Sequence, residues 1–172
     1  LFNTVFKANS VIVNIDKTDW TGQEDMKNQL LAEAKFFRGV AYFYLAHLYG
    51  RVPILTNPPT NESSFNPSKS ETIEEVYEQA IGDLSDAKSI LLEESFEAGR
   101  INKGAATAFL GKTYLYRAGY LNDNSFYSLA ADEFEELVNS GQYSLVEDWV
   151  DNFTAVNEFN SESVFEIDYK VF

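Results

Sequence analysis

The sequence predicts a mainly α-helical fold of stacked helical hairpins, and three observations carry that prediction. Apolar residues recur at steps of three and four along most of the chain. Glycines stand where the periodic runs end, at Gly50, Gly119 and Gly141. The unit from about Asn102 to Gly141 has nearly the length of a tetratricopeptide-type helix pair, about 34 residues. Such units bury their apolar faces only against one another, so the prediction is of a stack rather than of separate helices.

The elements follow in chain order. From Leu1 to about Asp16, Phe2, Val5, Phe6, Val11 or Ile12, and Ile15 mark a first helix, although β-branched residues crowd its second half. Thr18–Thr21 is a loop holding Trp20, and Gly22 breaks the pattern. A long helix then starts near Glu24. Leu30, Ala34, Phe37, Ala41, Tyr44 or Leu45, and Leu48 give it one apolar face, and Phe36, Val40, Phe43 and His47 a second. A helix apolar on two sides must be packed between neighbours. Gly50 supplies a positive-φ stop and Pro53 forbids an immediate restart.

Asn57–Ser70 is a polar loop with Pro58, Pro59 and Pro67, long for a connector between helices. Thr72 and Glu75 form a capping box. The helix after it buries Ile73, Val76 or Tyr77, Ala80, Leu84, Ala87 and Leu91, with an acidic opposite face. Asn102 is placed to cap the next helix. Ala105, Ala106, Ala108 and Gly111 give that helix a small-residue face for close packing, with Phe109, Leu110, Tyr114 and Tyr116 beside it and Gly119 as its end. Asn124 or Ser125 caps a further helix burying Phe126, Ala130, Phe134 and Leu137. Asp148–Phe153 reads as one more short turn. Phe37, Ala41, Leu45, Ala106, Phe109 and Leu110 are the expected core. The hairpins span about 24–92 and 102–141.

The end of the chain changes period. Phe165, Ile167, Tyr169 and Val171 alternate with Glu166, Asp168 and Lys170, the pattern of a half-buried strand over about 163–172. The residues before it offer no strand to pair with. An unpaired strand exposes its backbone groups, so the partner is expected beyond Phe172 and the chain is expected to be a fragment of a longer one.

Composition excludes several functions. A formal charge of −14 opposes binding to nucleic acid or anionic lipid. With no cysteine there is no disulfide and no thiolate metal site. No run approaches the ~20 apolar residues of a membrane span. There is no phosphate-binding glycine loop, no calcium loop and no zinc spacing, so no cofactor or metal is expected. His47, the single histidine, lies on an apolar stripe with no nucleophile motif beside it and reads as a packed, hydrogen-bonded core residue. Adjacent carboxylates such as Glu74-Glu75 do not face each other on a helix and read as solvated. Arg38 is expected to bond a neighbouring loop or a carboxylate. Trp20 and Phe65 differ, since both fall in loops. Sugars stack flat C–H faces on aromatic rings while amides and carboxylates bond their hydroxyls. Trp20 with Asp19, and Phe65 with Asn61 and Asn66, supply that combination, against the plainer reading that each ring tucks into the local core.

Several phrases carry a resemblance. Glu33–Thr56 has the form E-A-[KR]-F-x-R-x-x-x-Y-F-x-L-x-x-x-Y-G-x-V-P-[IL]-x-T, and K-A-N-S-V-I at Lys7–Ile12, E-E-V-Y-E-Q-A-I-G-D-L at Glu74–Leu84, G-R-I-N-K at Gly99–Lys103 and S-E-S-V-F-E-I at Ser161–Ile167 accompany it. Together they resemble the helical-repeat portion of the SusD/RagB family of outer-membrane nutrient-binding lipoproteins. The resemblance implies a non-catalytic, surface-exposed protein that captures an oligosaccharide, or in the RagB manner a peptide, and passes it to a SusC-like TonB-dependent transporter. It implies contact with the membrane only through a lipid anchor outside this chain. The family pattern does not fix ligand residues at any of these positions. The alternative is a tetratricopeptide-type scaffold for protein partners.

Overall fold

The computed structural model describes residues 1–59, 67–97 and 99–167. It is built of α-helices: α1 Phe2–Asn14, α2 Glu24–Tyr49, α3 Ile73–Ile90, α4 Lys103–Leu121 and α5 Ser125–Asn139, with 3₁₀ turns at Ile15–Lys17 and Trp149–Phe153. None of the helices described is long and apolar enough to cross a membrane.

The helices run as successive antiparallel neighbours, and side-chain pairs show the direction. Lys35 meets Asp86 while Arg38 meets Asp83 across α2 and α3. Arg117 of α4 meets Glu78 of α3, and Gly111 of α4 faces Phe134 of α5. α2 lies between α1 and α3, which is why its sequence is apolar on two sides. One core cluster joins α1, α2 and α3 through Val5, Tyr42, Phe43, Leu45, Val76 and Tyr77. A second joins α2, α3 and α4 through Phe36, Leu84, Ile101, Ala105, Ala106 and Leu110. Each such large apolar side chain contributes about 1.5–3 kcal/mol on full burial.

The caps explain most of the boundaries. Thr72 accepts the Glu75 amide at 3.3 Å, and Asn102 accepts the Ala105 amide at 2.9 Å. Gly50 sits at φ 71°. Two glycines permit close approach. A Cβ at Gly39 would lie 2.8 Å from Leu84 Cγ and 3.1 Å from the Ala80 carbonyl oxygen, and one at Gly111 would lie 2.9 Å from the Phe134 ring.

Some expectations need correction. α4 runs past Gly119 to Leu121 and stops at Asn122, which takes the left-handed conformation at φ 53°. Neither Asn124 nor Ser125 caps α5 with its side chain. Asp123 does so from one position earlier, accepting the Ser125 amide and hydroxyl at 3.2 and 2.6 Å. Ala41, Leu45, Ala106 and Leu110 are buried, but Phe37 is 40 % exposed, Leu48 is 60 % exposed and Phe109 is only half-buried. For Phe37 and Leu48 the physical reason is that α1 and α3 flank α2 without enclosing it, so a strip of α2 stays open. His47 lies on that strip. It is exposed, with its ring stacked on Phe43 and edge-on to Tyr116, rather than in the core.

Ser163–Ile167 form no strand, and the remainder of the expected strand, 168–172, lies outside the described residues. Instead Phe165 lodges edge-on against Phe36 of α2 and Phe109 of α4, at 5.6 and 5.7 Å between ring centroids.

Candidate functional site

Three regions hold the candidate site residues or the open cavities. The first is the loop between α1 and α2. The Trp20 indole N–H donates to the Ile15 carbonyl at 2.6 Å, and the ring is half-buried. Asp19 is exposed and accepts the Thr21 amide and hydroxyl at 3.0 and 2.7 Å. Those bonds, the hydroxyl first, hold its carboxyl below the usual aspartate range. The pair is adjacent and ordered, with the polar edge of Trp20 already engaged.

The second is the root of the long loop after α2. Val52–Thr56 belongs to no helix or sheet, so its backbone groups need partners from elsewhere. The Leu55 amide donates to the Tyr42 hydroxyl at 2.6 Å, and that hydroxyl donates back to the Leu55 carbonyl at 3.0 Å. Asn9 of α1 donates to the same carbonyl at 2.8 Å. At the far end of the loop the Ser70 amide donates to the Val52 carbonyl, and Arg51 donates to the Ser70 carbonyl. Both ends of the loop are therefore held together. Asn61, Phe65 and Asn66 lie outside the described residues.

The third region was not legible in the sequence. Residues 142–166 fold back over α4 and enclose two open cavities. One, of about 410 Å³, is lined by Arg100, Asn102, Tyr143, Phe159 and Glu166 among others. The other, of about 880 Å³, is lined by Phe109, Lys112, Asn152, Phe153, Asn157 and Phe165 among others. The Lys112 ammonium lies 5.6–5.9 Å from the ring centroids of Phe43, Tyr44, Phe109 and Tyr116 and forms no ion pair among the described residues. Cation–π attraction offsets part of that isolation. Tyr143 shares a hydrogen bond with Asn102, and burial, more than any other cause, raises its pKa. Asn152, followed by the Val146 amide, lowers the pKa of Glu162. The one available signal was the density of aromatic and amide residues between Gln142 and Asn160. Among the described residues no group of three or more histidines and carboxylates is arranged to hold a metal ion.

Antiparallel helices stacked in sequence, with loops and a folded-back tail carrying the polar and aromatic surface, define a helical-repeat fold of the tetratricopeptide type. Comparison with known proteins narrows this. A SusD-like family model, described as "Starch-binding associating with outer membrane", matches residues 1–115, and the chain belongs to that family. A SusD-like protein of Bacteroides ovatus is 30 % identical over 98 % of this chain and 31 % of its own. A protein solved with a xylogluco-oligosaccharide superposes with a TM-score of 0.82 at 29 % identity, over 95 % of this chain and 33 % of its own. A laminarin-binding SusD-like protein superposes with a TM-score of 0.78 at 29 % identity, over 94 % of this chain and 34 % of its own. The chain spans about a third of the length of these relatives.

Proposed function

We propose that this chain is the helical-repeat portion of a non-catalytic, oligosaccharide-binding protein at the outer-membrane surface, which passes its ligand to a SusC-like TonB-dependent transporter. The observation that carries this reading is the superposition of nearly the whole chain on a protein solved with a xylogluco-oligosaccharide. The laminarin-binding relative supports the same ligand class, and the family description supports association with the outer membrane. Trp20, Asp19, Asn61, Phe65 and Asn66 are the proposed ligand contacts, because loops can vary their aromatic and amide groups while the helix interiors are committed to packing.

Titration with xylogluco- and laminari-oligosaccharides tests the proposal. Binding is expected without release of new reducing ends. Trp20→Ala and Phe65→Ala are expected to weaken binding while costing about 0.5 kcal/mol or less in stability, as surface changes do. Truncation of a core aromatic costs about 3–5 kcal/mol instead, so a large stability loss with unchanged affinity would move the site elsewhere. Hydrolysis abolished by one carboxylate substitution would replace the reading with an enzyme. A second reading, a RagB-like peptide binder or a scaffold for protein segments, is favoured by one observation: Phe165 of the chain itself already lodges between α2 and α4. Affinity for peptides and none for glycans would select it.

A further inference from the structure

Three of the sequence phrases meet in one buried polar chain. Asp83 of α3 accepts two bonds from Arg38 of α2, from Nε at 2.8 Å and from Nη2 at 2.7 Å. Arg38 Nη1 donates to the Asn9 side-chain oxygen of α1 at 2.8 Å. Asn9 Nδ2 then donates to the Leu55 carbonyl at 2.8 Å and reaches the Asn57 carbonyl at 3.5 Å. Gln79 Nε2 steadies the other side of Asp83 at 2.9 Å. Asn9, Arg38 and Asp83 are all buried.

Each link in this chain has a direction. A guanidinium has donors and no acceptor, so the amide oxygen of Asn9 must face Arg38 and its NH₂ must face the loop. The fork of Arg38 is in turn aimed by the two oxygens of Asp83. A buried charged pair is by itself weak evidence of packing stability, because replacing one with apolar residues of similar volume is often neutral or stabilising. What such a replacement removes is the orientation passed to Asn9. We propose that Arg38 and Asn9 are positioning residues: Asp83 aims Arg38, Arg38 aims Asn9, and Asn9 fixes the course of Leu55–Asn57, from which the long loop departs. The link to ligand binding rests on the reading above that this loop contacts ligand.

Hydrogen exchange of backbone amides tests the proposal without any ligand. Two variants are compared with the parent chain, Asn9→Leu and the double replacement Arg38→Met with Asp83→Leu. Both are expected to raise exchange of peptides spanning 52–59 at least tenfold, with exchange in α2 and α3 unchanged and only a modest fall in the Tm of the double variant, from the Asn9 oxygen left without a donor. Unchanged exchange at 52–59 in both variants overturns the proposal. So does a uniform rise across the hairpin in both, which would make these residues ordinary core support. Titration with a xylogluco-oligosaccharide then separates the two readings. A localised rise in exchange with unaltered affinity upholds the positioning role and removes the loop from the ligand site.

Discussion

At the residue scale, the buried polar groups tell most about this chain. Tyr77 is fully buried, and its hydroxyl has no hydrogen-bond partner among the described residues. Burial, followed by the neighbouring Tyr120 and Tyr116, pushes its pKa from 10.0 up to about 12. Below pH 10 the folded and unfolded chains both keep the proton. As pH rises from about 10 to about 12 the unfolded chain loses it first, so stability falls over that window. Removing an unsatisfied buried hydroxyl recovers about 1 kcal/mol or more. Tyr77→Phe is therefore expected to match or exceed the parent in urea unfolding at pH 8 and to lose less stability between pH 10 and 12. Destabilisation at pH 8 would mean that the hydroxyl has a bonding role. None of this was legible beforehand, since Val76 and Tyr77 were interchangeable on a helical pattern and both prove buried. Arg38 shows the same limit. A neighbouring loop or a carboxylate was expected from its place beside the packed face, but which of the two, and its identity as Asp83, 45 residues away, depends on the register of α2 against α3. Periodicity says nothing about register between helices.

At the element scale, the helices were legible wherever a cap was written into the chain. Thr72 and Asn102 cap as their side chains predict, and Gly50 stops α2. The misplaced ends have a common cause. Gly119 resembles a stop, but a glycine also fits inside a helix, and Asn122 is one of the few non-glycine residue types that tolerate the left-handed turn. What the helices do with their glycines is open to test. Gly39 and Gly82 lie on neighbouring helices with opposite surroundings. A Cβ at Gly39 meets Leu84 and the Ala80 backbone, whereas a Cβ at Gly82 has nothing within 4 Å. Gly39→Ala is expected to cost about 1–3 kcal/mol by overpacking the contact of α2 with α3. Gly82→Ala is expected to stabilise by about 0.5–1 kcal/mol through helix propensity alone. Thermal unfolding of both variants checks the pair, and equal effects of one sign would show that α2 and α3 do not pack as described.

At the scale of the whole molecule, the stack was legible and the site was not. Stacking follows from periodic apolar faces that have no other place to go. The loops and the tail after α5 follow courses that no local pattern encodes, as the alternation at Phe165–Ile167 shows. There a ring fills a gap between α2 and α4 instead of a sheet. The same tail carries four strongly exposed apolar side chains within twelve residues: Leu145, Trp149, Phe153 and Val156 are 84, 71, 79 and 89 % exposed. So much open apolar area over a short stretch marks a contact surface. If the chain is the helical third of a longer protein, as proposed, that surface is expected to be covered by the remaining polypeptide. Tryptophan fluorescence can measure this, since Trp20 and Trp149 are the only tryptophans. With Trp20 replaced by Phe, Trp149 alone reports. Acrylamide is expected to quench it efficiently in the 172-residue chain and weakly in the longer protein, with a blue-shifted emission. Equal quenching in both would show that the rest of the protein leaves this face open, and its aromatic residues would then become candidates for ligand or transporter contact in place of the α1–α2 loop.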